Sequence, residues 1–312
     1  MSIAFTFPGQ GSQAVGMGRA LADAHPEARA VFDEVDAALG TKLSKIIFEG
    51  PIETLTLTEN AQPALMAVSL AATRVLGAKG VGIDRVAYVA GHSLGEYSAL
   101  AATGSLSISD AARLLRLRGR AMQEAVPVGE GAMAALLGLD LEAANAIASE
   151  AAQGEVCAAA NDNGAGQVVV SGNKAAVERA VEIAKARGAR RAVLLPVSAP
   201  FHCPLMEPAA KVMAAALRDV TIKAPAVPLI ANVSARPVTD PETIRKNLVE
   251  QVTGLVRWRE TIAFLAGAGA TVFVEVGAGK VLSGLAKRIA EDAETLTAGT
   301  PEDIDAVVAK LS

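Results

Sequence analysis

The stretch that decides the fold is VAYVAGHSLGEYSALAA, residues 86–102. Its first five residues form the compact apolar run typical of a buried strand, and residues 96–102 are typical of a helix. A G-x-S-x-G between a strand and a helix is the pattern of a nucleophile elbow, in which a serine lies on a strained tight turn. The sequence therefore predicts Ser93 as a nucleophile, with Gly91 and Gly95 small because strand and helix approach closely. The alternative is an ordinary glycine turn that holds an incidental serine.

Apolar runs and helical spacing alternate along the rest of the chain, which predicts an α/β fold. Strands that alternate with helices and are continuously apolar indicate a mainly parallel sheet with helices on both faces. Outside residues 128–196 the predicted strands are 3–7, 86–90, 227–233 and 271–276, and the predicted helices are 26–39, 60–79, 96–102, 109–125, 204–217, 241–252 and 279–290.

Residues 128–196 follow a different order, which begins after Pro127-Val-Gly-Glu-Gly. The spacing predicts strand, helix, strand, strand, helix and strand, and this βαββαβ order is the split βαβ, ferredoxin-like signature. We expect an inserted ferredoxin-like subdomain at 128–196, within a core formed by 1–127 and 197–312.

Composition excludes several functional classes. Hydrophobic residues make up 51% and charged residues 20%, which excludes a disordered chain. A net charge of −4 and only ten aromatic residues (Trp 1, Tyr 2, Phe 7) do not indicate the basic surface or the stacking residues that bind nucleic acid. Two cysteines fit a reduced compartment and leave no metal cluster. With no signal peptide and no apolar run of membrane length, we expect a cytoplasmic protein that needs no membrane, metal or cofactor.

A serine nucleophile needs a base, and the chain has three histidines. His25 lies in the polar start of a helix and is interpreted as solvated. His92 adjoins Ser93, but neighbours at such a turn generally point apart. His202, in the loop SAPFHC (198–203) between a predicted strand and helix, is therefore the predicted base. No aspartate lies in an obvious third position, so a backbone carbonyl is the expected partner of the imidazole.

Two further features suggest anion binding. Arg118 lies off the arginine stripe of its helix, on the side shared with Leu114 and Leu115, and a buried guanidinium there predicts a carboxylate partner; the alternative is a solvated arginine. The loop PGQGSQA (8–14) contains G-x-G-x-x-A, a dinucleotide pattern, but the acidic strand end that should follow is missing because residues 27–39 have helical spacing. The same glycines instead allow backbone N–H groups to approach an oxyanion.

Seven motifs together resemble the malonyl-CoA:acyl carrier protein transacylase family of type II fatty acid synthesis. The resemblance runs in order from the first strand to the last predicted helix. Its motifs are FPGQGSQ (7–13), AQPAL (61–65), GHSLGEYSAL (91–100), RGRAMQ (118–123), NDNGAGQVVVSG (161–172), SAPFHC (198–203) and EVGAGKVLSGL (275–285).

The resemblance implies an α/β-hydrolase-like core with the ferredoxin-like insertion, and a ping-pong transfer of malonyl from malonyl-CoA to the phosphopantetheine thiol of holo acyl carrier protein. It implies that Ser93 accepts the acyl group, that His202 is the general base and that Arg118 pairs with the malonyl carboxylate. The other site residues that it implies are Gln10 and Leu94, whose N–H groups form the oxyanion hole, Gln251, whose carbonyl orients the histidine, and Met122, Phe201 and Gln62 in the substrate site.

Three alternatives remain at this point. A serine esterase or thioesterase would use the same nucleophile and base, although Arg118 would be misplaced in it. A nucleotide-binding protein would use the 8–14 loop without catalysis. An acyltransferase domain of polyketide assembly is disfavoured by the length of 312 residues.

Overall fold

The computed structural model of the chain describes residues 2–311, which form a mixed α/β fold. The strands are β1 Ile3–Phe7, β2 Tyr88–Gly91, β3 Gly131–Leu137, β4 Cys157–Asp162, β5 Gln167–Asn173, β6 Arg191–Leu194, β7 Leu229–Ile230, β8 Pro237–Val238, β9 Val272–Val276 and β10 Glu294–Ala298. The helices are α1 Arg19–Ala24, α2 Pro26–Leu39, α3 Leu43–Glu49, α4 Ile52–Thr56, α5 Thr58–Ala78, α6 Gly95–Ala102, α7 Ile108–Ala125, α8 Leu141–Ala152, α9 Lys174–Ala186, α10 Glu207–Arg218, α11 Pro241–Glu250, α12 Trp258–Gly267, α13 Val281–Ile289 and α14 Pro301–Leu311.

The larger sheet has six strands in the order β10-β9-β1-β2-β7-β8, and every pair is parallel except β7 with β8. Phe5 and Phe7 of the central strand β1 face a core that contains α2, α5 and α7, whereas Ala4 faces a second core around Trp258 of α12. Helices therefore cover both faces of a mainly parallel sheet, as the continuous apolar strands predict.

The carboxyl ends of β1 and β2 lie side by side, because Phe7 is paired with Gly91. The loop at residues 8–14 and the turn at 92–94 consequently leave the sheet at the same edge. Loops at the carboxyl ends of parallel strands form the ligand site of open α/β sheets.

The smaller sheet has four antiparallel strands in the order β4-β5-β3-β6. Helices α8 and α9 pack on one of its faces. The other face carries Met133, Ala135 and Val169, which pack with Val197 and Phe201 of the segment leading back to the larger sheet. This second face therefore lies towards the predicted base, His202.

Most predicted elements are confirmed, and the differences have simple causes. The predicted strand 227–233 is shorter in the structure, Leu229–Ile230, because Asn232 leaves the strand and its side chain accepts a hydrogen bond from the Ser93 N–H. The predicted helix 204–217 begins with the 3₁₀ turn Pro204–Met206. The elements that were not predicted are the helices α1, α3, α4, α12 and α14 and the edge strands β8 and β10. No helix within residues 2–311 is long and apolar enough to cross a membrane.

Candidate active site

Ser93 lies on a sharp turn between β2 and α6, in the left-handed region with a φ of 52°. A Cβ added to Gly91 would lie 1.9 Å from the carbonyl carbon and oxygen of Gly95, and one added to Gly95 would lie 2.2 Å from the Phe7 oxygen. Real Cβ atoms do not approach backbone so closely. The prediction that these two glycines permit a close approach of strand and helix is therefore confirmed.

His202 lies directly against this serine, with its Nε2 2.7 Å from Ser93 Oγ. Its Nδ1 is 2.8 Å from the main-chain oxygen of Gln251. A carbonyl oxygen only accepts hydrogen bonds, so Nδ1 carries the proton and Nε2 is left to accept one from the serine hydroxyl. Burial is the main cause that lowers the pKa of His202 to about 3. The imidazole is therefore neutral and able to act as a base.

Carboxylates that a triad would need are engaged elsewhere. Asp140 caps α8 by accepting from the Ala143 N–H, and Asp162 pairs with Arg259 at 2.8 Å. Ser107 caps α7 and donates its hydroxyl to Asp110. The histidine partner in this structure is thus a main-chain carbonyl, and the arrangement is a dyad.

Arg118 of α7 reaches the same serine from the other side and is only 2% exposed. Its Nη2 donates to Ser93 Oγ at 3.1 Å and to Gln251 Oε1 at 2.9 Å, and its Nη1 donates to Gln62 Oε1 at 2.7 Å. Burial lowers the pKa of this guanidinium. Among the described residues no carboxylate forms an ion pair with it. A buried cation held by neutral groups is poised to receive an anion.

The glycine loop after β1 packs onto the serine turn. A Cβ on Gly9 would lie 2.9 Å from the His92 oxygen, so only glycine lets the loop come this close. Gln10 is anchored through its Oε1, which accepts from the Thr58 hydroxyl at 3.0 Å. The backbone N–H groups of Gln10 and Leu94 have no hydrogen-bond partner within residues 2–311. Two donors therefore remain available beside Ser93.

A cavity of about 510 Å³ opens above the serine. Among the nine residues predicted for the site, Gln251 lies beneath it and is fully buried. The eight that line the cavity are Ser93, His202, Arg118, Gln10, Leu94, Met122, Phe201 and Gln62. The smaller sheet and its exit segment complete the wall with Met133, Asn161, Leu195, Pro196 and Val197. No group of three or more metal-ligating side chains exists in the described part of the chain.

The other two histidines take different places. His92 lines the cavity, but its Nε2 lies 2.9 Å from Asn163 Oδ1 rather than at the serine hydroxyl. Burial lowers its pKa. His25 is the N-cap residue of α2, outside the cavity lining. The structure therefore brings only His202 of the three histidines to Ser93 Oγ.

Sequence reasoning missed two polar residues below the serine. Asn232 accepts the Ser93 N–H at 2.8 Å and donates to the Gly91 oxygen at 2.7 Å. It lies in a stretch interpreted as strand, so no sequence signal pointed to it. Glu96 accepts from the Asn232 N–H at 3.0 Å and from Gln251 Nε2 at 2.9 Å. A lone acid in the apolar helix after the elbow was an available signal.

Comparison with known proteins agrees with this geometry. The model of the acyl transferase domain family matches residues 4–305. The malonyl CoA-acyl carrier protein transacylase of Bacillus subtilis is 48% identical over 310 residues, which cover 99% of this chain and 97% of that protein. The corresponding Escherichia coli K12 transacylase is 46% identical over 308 residues, covering 99% and 98%.

Solved structures of such enzymes superpose along the whole chain. The acyl-carrier-protein-S-malonyltransferase of Bartonella henselae is 59% identical with a TM-score of 0.98, covering 100% of this chain and 99% of that one. A malonyl-transacylase solved in complex with its type II PKS acyl-carrier protein is 42% identical with a TM-score of 0.96, covering 99% and 100%.

Proposed function

The chain belongs to the acyl transferase domain family, and we propose that it transfers the malonyl group from malonyl-CoA to the phosphopantetheine thiol of acyl carrier protein through an ester on Ser93. One observation carries this proposal. The Ser93 hydroxyl lies between a neutral base, His202 at 2.7 Å, and a buried cation, Arg118 at 3.1 Å. This combination suits acyl transfer to serine from an acyl donor that carries its own negative charge.

The first half-reaction follows from the hydrogen bonds. Ser93 Oγ attacks the thioester carbonyl of malonyl-CoA, and its proton passes to Nε2 of His202. The C–S bond then breaks, and the leaving sulfur takes that proton as coenzyme A departs. In the second half-reaction the carrier-protein thiol gives its proton to His202 and attacks the ester carbonyl; the ester C–O bond then breaks, and Ser93 Oγ takes the proton back from His202. The Gln251 carbonyl holds the imidazole in the required tautomer throughout.

The developing oxyanion needs donors, and we assign that role to the N–H groups of Gln10 and Leu94. Both lie in segments packed against the serine turn, and neither has a partner in the described chain. Each donor of this kind lowers the barrier by about 3 kcal/mol. A helix N-terminus beside Leu94 adds a favourable dipole.

We assign Arg118 to the malonyl carboxylate. The guanidinium already contacts the oxygen that would carry the acyl group, and the free carboxylate of a malonyl ester is only three bonds beyond that oxygen. The planar fork of arginine matches a carboxylate in two parallel hydrogen bonds. Gln62, Met122 and Phe201 would enclose the short acyl chain and exclude water, which favours transfer over hydrolysis.

Intact-protein mass spectrometry after incubation with malonyl-CoA tests the proposal. We expect one malonyl adduct on the wild-type chain, none on Ser93→Ala, and loss of the adduct when holo acyl carrier protein is added. The absence of an adduct on the wild type would refute the proposal. Release of free malonate without carrier protein, at the rate of acylation, would instead indicate the esterase alternative. A rise in melting temperature with NAD or ATP would favour the nucleotide-binding alternative.

We further propose the division of the chain predicted above, with a ferredoxin-like subdomain at 128–196 inserted in an α/β-hydrolase-like core of 1–127 and 197–312. The order β4-β5-β3-β6, with α8 and α9 on one face, supports the ferredoxin-like description. The elbow between β2 and α6 supports the hydrolase-like one. The cytoplasmic location stays a prediction.

A further inference from the structure

Glu96 is a buried acid that the proposed mechanism does not use. It lies in the first turn of α6, is 1% exposed, and forms none of the ion pairs in the described part of the chain. Both of its hydrogen bonds go to Oε2, from the Asn232 N–H at 3.0 Å and from Gln251 Nε2 at 2.9 Å. Oε1 has no partner within residues 2–311. Burying a carboxyl group with one oxygen unpartnered costs free energy.

Gln251 connects this acid to Arg118, to His202 and to the main chain of Ser93. Its Oε1 accepts from Arg118 Nη2 at 2.9 Å, while its Nε2 also donates to the main-chain oxygen of Ser93 at 3.0 Å. Its own main-chain oxygen receives the His202 Nδ1–H. The side-chain amide is therefore placed between a guanidinium at one end and a carboxylate at the other.

Glu96 Oε2 is the nearest of three acceptors that set the orientation of that amide; the other two are the main-chain oxygen of Ser93 at 3.0 Å and Asn232 Oδ1 at 3.3 Å. An amide has one accepting end and one donating end, and Glu96 Oε2 is the acceptor in both of its hydrogen bonds. With Glu96 Oε2 at one side, the Gln251 side chain must direct Nε2 towards it, which leaves Oε1 facing Arg118. A reversed amide would set its NH₂ group against the guanidinium donors. It would also set its oxygen against the carboxylate.

We propose that Glu96 is a positioning residue for acyl selection, which stabilises the Arg118 guanidinium at Ser93 Oγ by strengthening the orientation of the Gln251 side chain. This inference rests on the proposed malonyl transfer and adds a determinant of its specificity. Without the acceptor at residue 96, the Gln251 amide loses the closest of the three acceptors that hold its orientation, which weakens one of the three hydrogen bonds that anchor Arg118. Recognition of the acyl carboxylate should then weaken more than acylation chemistry itself.

The decisive variant is Glu96→Met, which preserves volume but removes both acceptors. Rapid-quench mass spectrometry would measure acylation of Ser93 from malonyl-CoA and from acetyl-CoA. We expect the malonyl-to-acetyl ratio of the rates to fall about tenfold, the size typical of coupled neighbours. Glu96→Gln should recover most of the ratio, because its oxygen can still accept both hydrogen bonds and its NH₂ would occupy the unpartnered site of Oε1.

Two further variants separate this role from a purely structural one. Ser98→Ala removes a buried hydroxyl of α6 that has no partner among the described residues, and it should leave the ratio unchanged. Gln251→Met keeps its main-chain carbonyl, and combined with Glu96→Met it should lower the ratio no further than either change alone.

A Glu96→Met protein that loses both rates by one common factor, with its ratio within about twofold of wild type, would overturn the proposal. Should this variant not fold, Glu96→Asp decides the matter, since the shorter acid cannot reach Gln251. A fall of its ratio supports the proposal, and an unchanged ratio refutes it. A wild-type chain that forms no malonyl adduct at all would instead refute the proposed function, so the two failures are distinguishable.

Discussion

Replacing Arg118 by alanine tests the assignment of the acyl-group carboxylate. The side chain is 2% exposed and surrounded by neutral partners, so its loss would leave a bound malonyl carboxylate buried without a counter-charge. Removing one partner of a buried pair costs about 3–5 kcal/mol. At about 1.4 kcal/mol per factor of ten, malonylation of Ser93 should slow by roughly two to three and a half powers of ten.

Acetyl-CoA supplies the internal reference for this prediction. Arg118→Ala also leaves Gln62 Oε1 and Gln251 Oε1 without their donor, but that damage is common to both acyl donors. The acetyl rate should therefore fall much less than the malonyl rate, and tolerance for acetyl-CoA should rise. Single-turnover quench experiments read by intact-protein mass spectrometry would give both rates.

Arg118→Lys is the matched control, because it keeps a positive charge but loses the planar fork. Its malonyl rate should lie between those of the wild type and Arg118→Ala. If Arg118→Ala slows malonyl and acetyl transfer by the same factor while its melting temperature drops, the arginine is only structural. An undiminished malonyl rate would also show that the reasoning is wrong.

Four further predictions concern pH and packing. Because burial lowers the pKa of His202 to about 3, the acylation rate should show no acidic limb centred near 6.5; such a limb in a rapid-quench pH profile would contradict a neutral base. Between pH 3 and 6.5 the His202 imidazole is protonated in the unfolded chain but not in the folded one, so the free energy of unfolding falls as pH falls through this window. In urea unfolding, the free energy of unfolding of His202→Asn should therefore depend less on pH than that of the wild type. Burial raises the pKa of Glu96 from 4.5 to about 7, so this acid lowers the free energy of unfolding as pH rises between those two values. Glu96→Gln should remove this contribution to the pH dependence of the free energy of unfolding. Gly91→Ala should destabilise the fold by at least about 3 kcal/mol, because the new Cβ would lie 1.9 Å from backbone atoms. The control Gly77→Ala, on an open face of α5, should stabilise the fold by about 0.5–1 kcal/mol. Similar melting temperatures of the two variants would refute the packing argument.

Local sequence pattern was sufficient where a single element determines the outcome. The turn at 91–95 needed only a strand, a helix and two glycines, so Ser93 and its strained conformation were predictable. Elimination among three histidines selected His202, which does lie at the serine hydroxyl. Helical spacing placed Arg118 on the apolar side of its helix but left a solvated arginine open, and the structure shows the side chain buried. Elements that depend on remote partners, such as the edge strand β10 and the helix α12, were not predicted.

What the sequence by itself determined was the order of elements, the serine turn and the short set of groups able to do chemistry, because each depends on neighbours within a few residues. Only the tertiary structure decided how those groups share hydrogen bonds. Gln251 is 158 positions from Ser93, and Asn232 is 139 positions from it, yet both contact the serine backbone. Periodicity predicts on which face of its helix or strand a residue lies, but it does not predict which distant segment packs against that face. The network that joins Glu96, Gln251 and Arg118 therefore exists only in the folded chain.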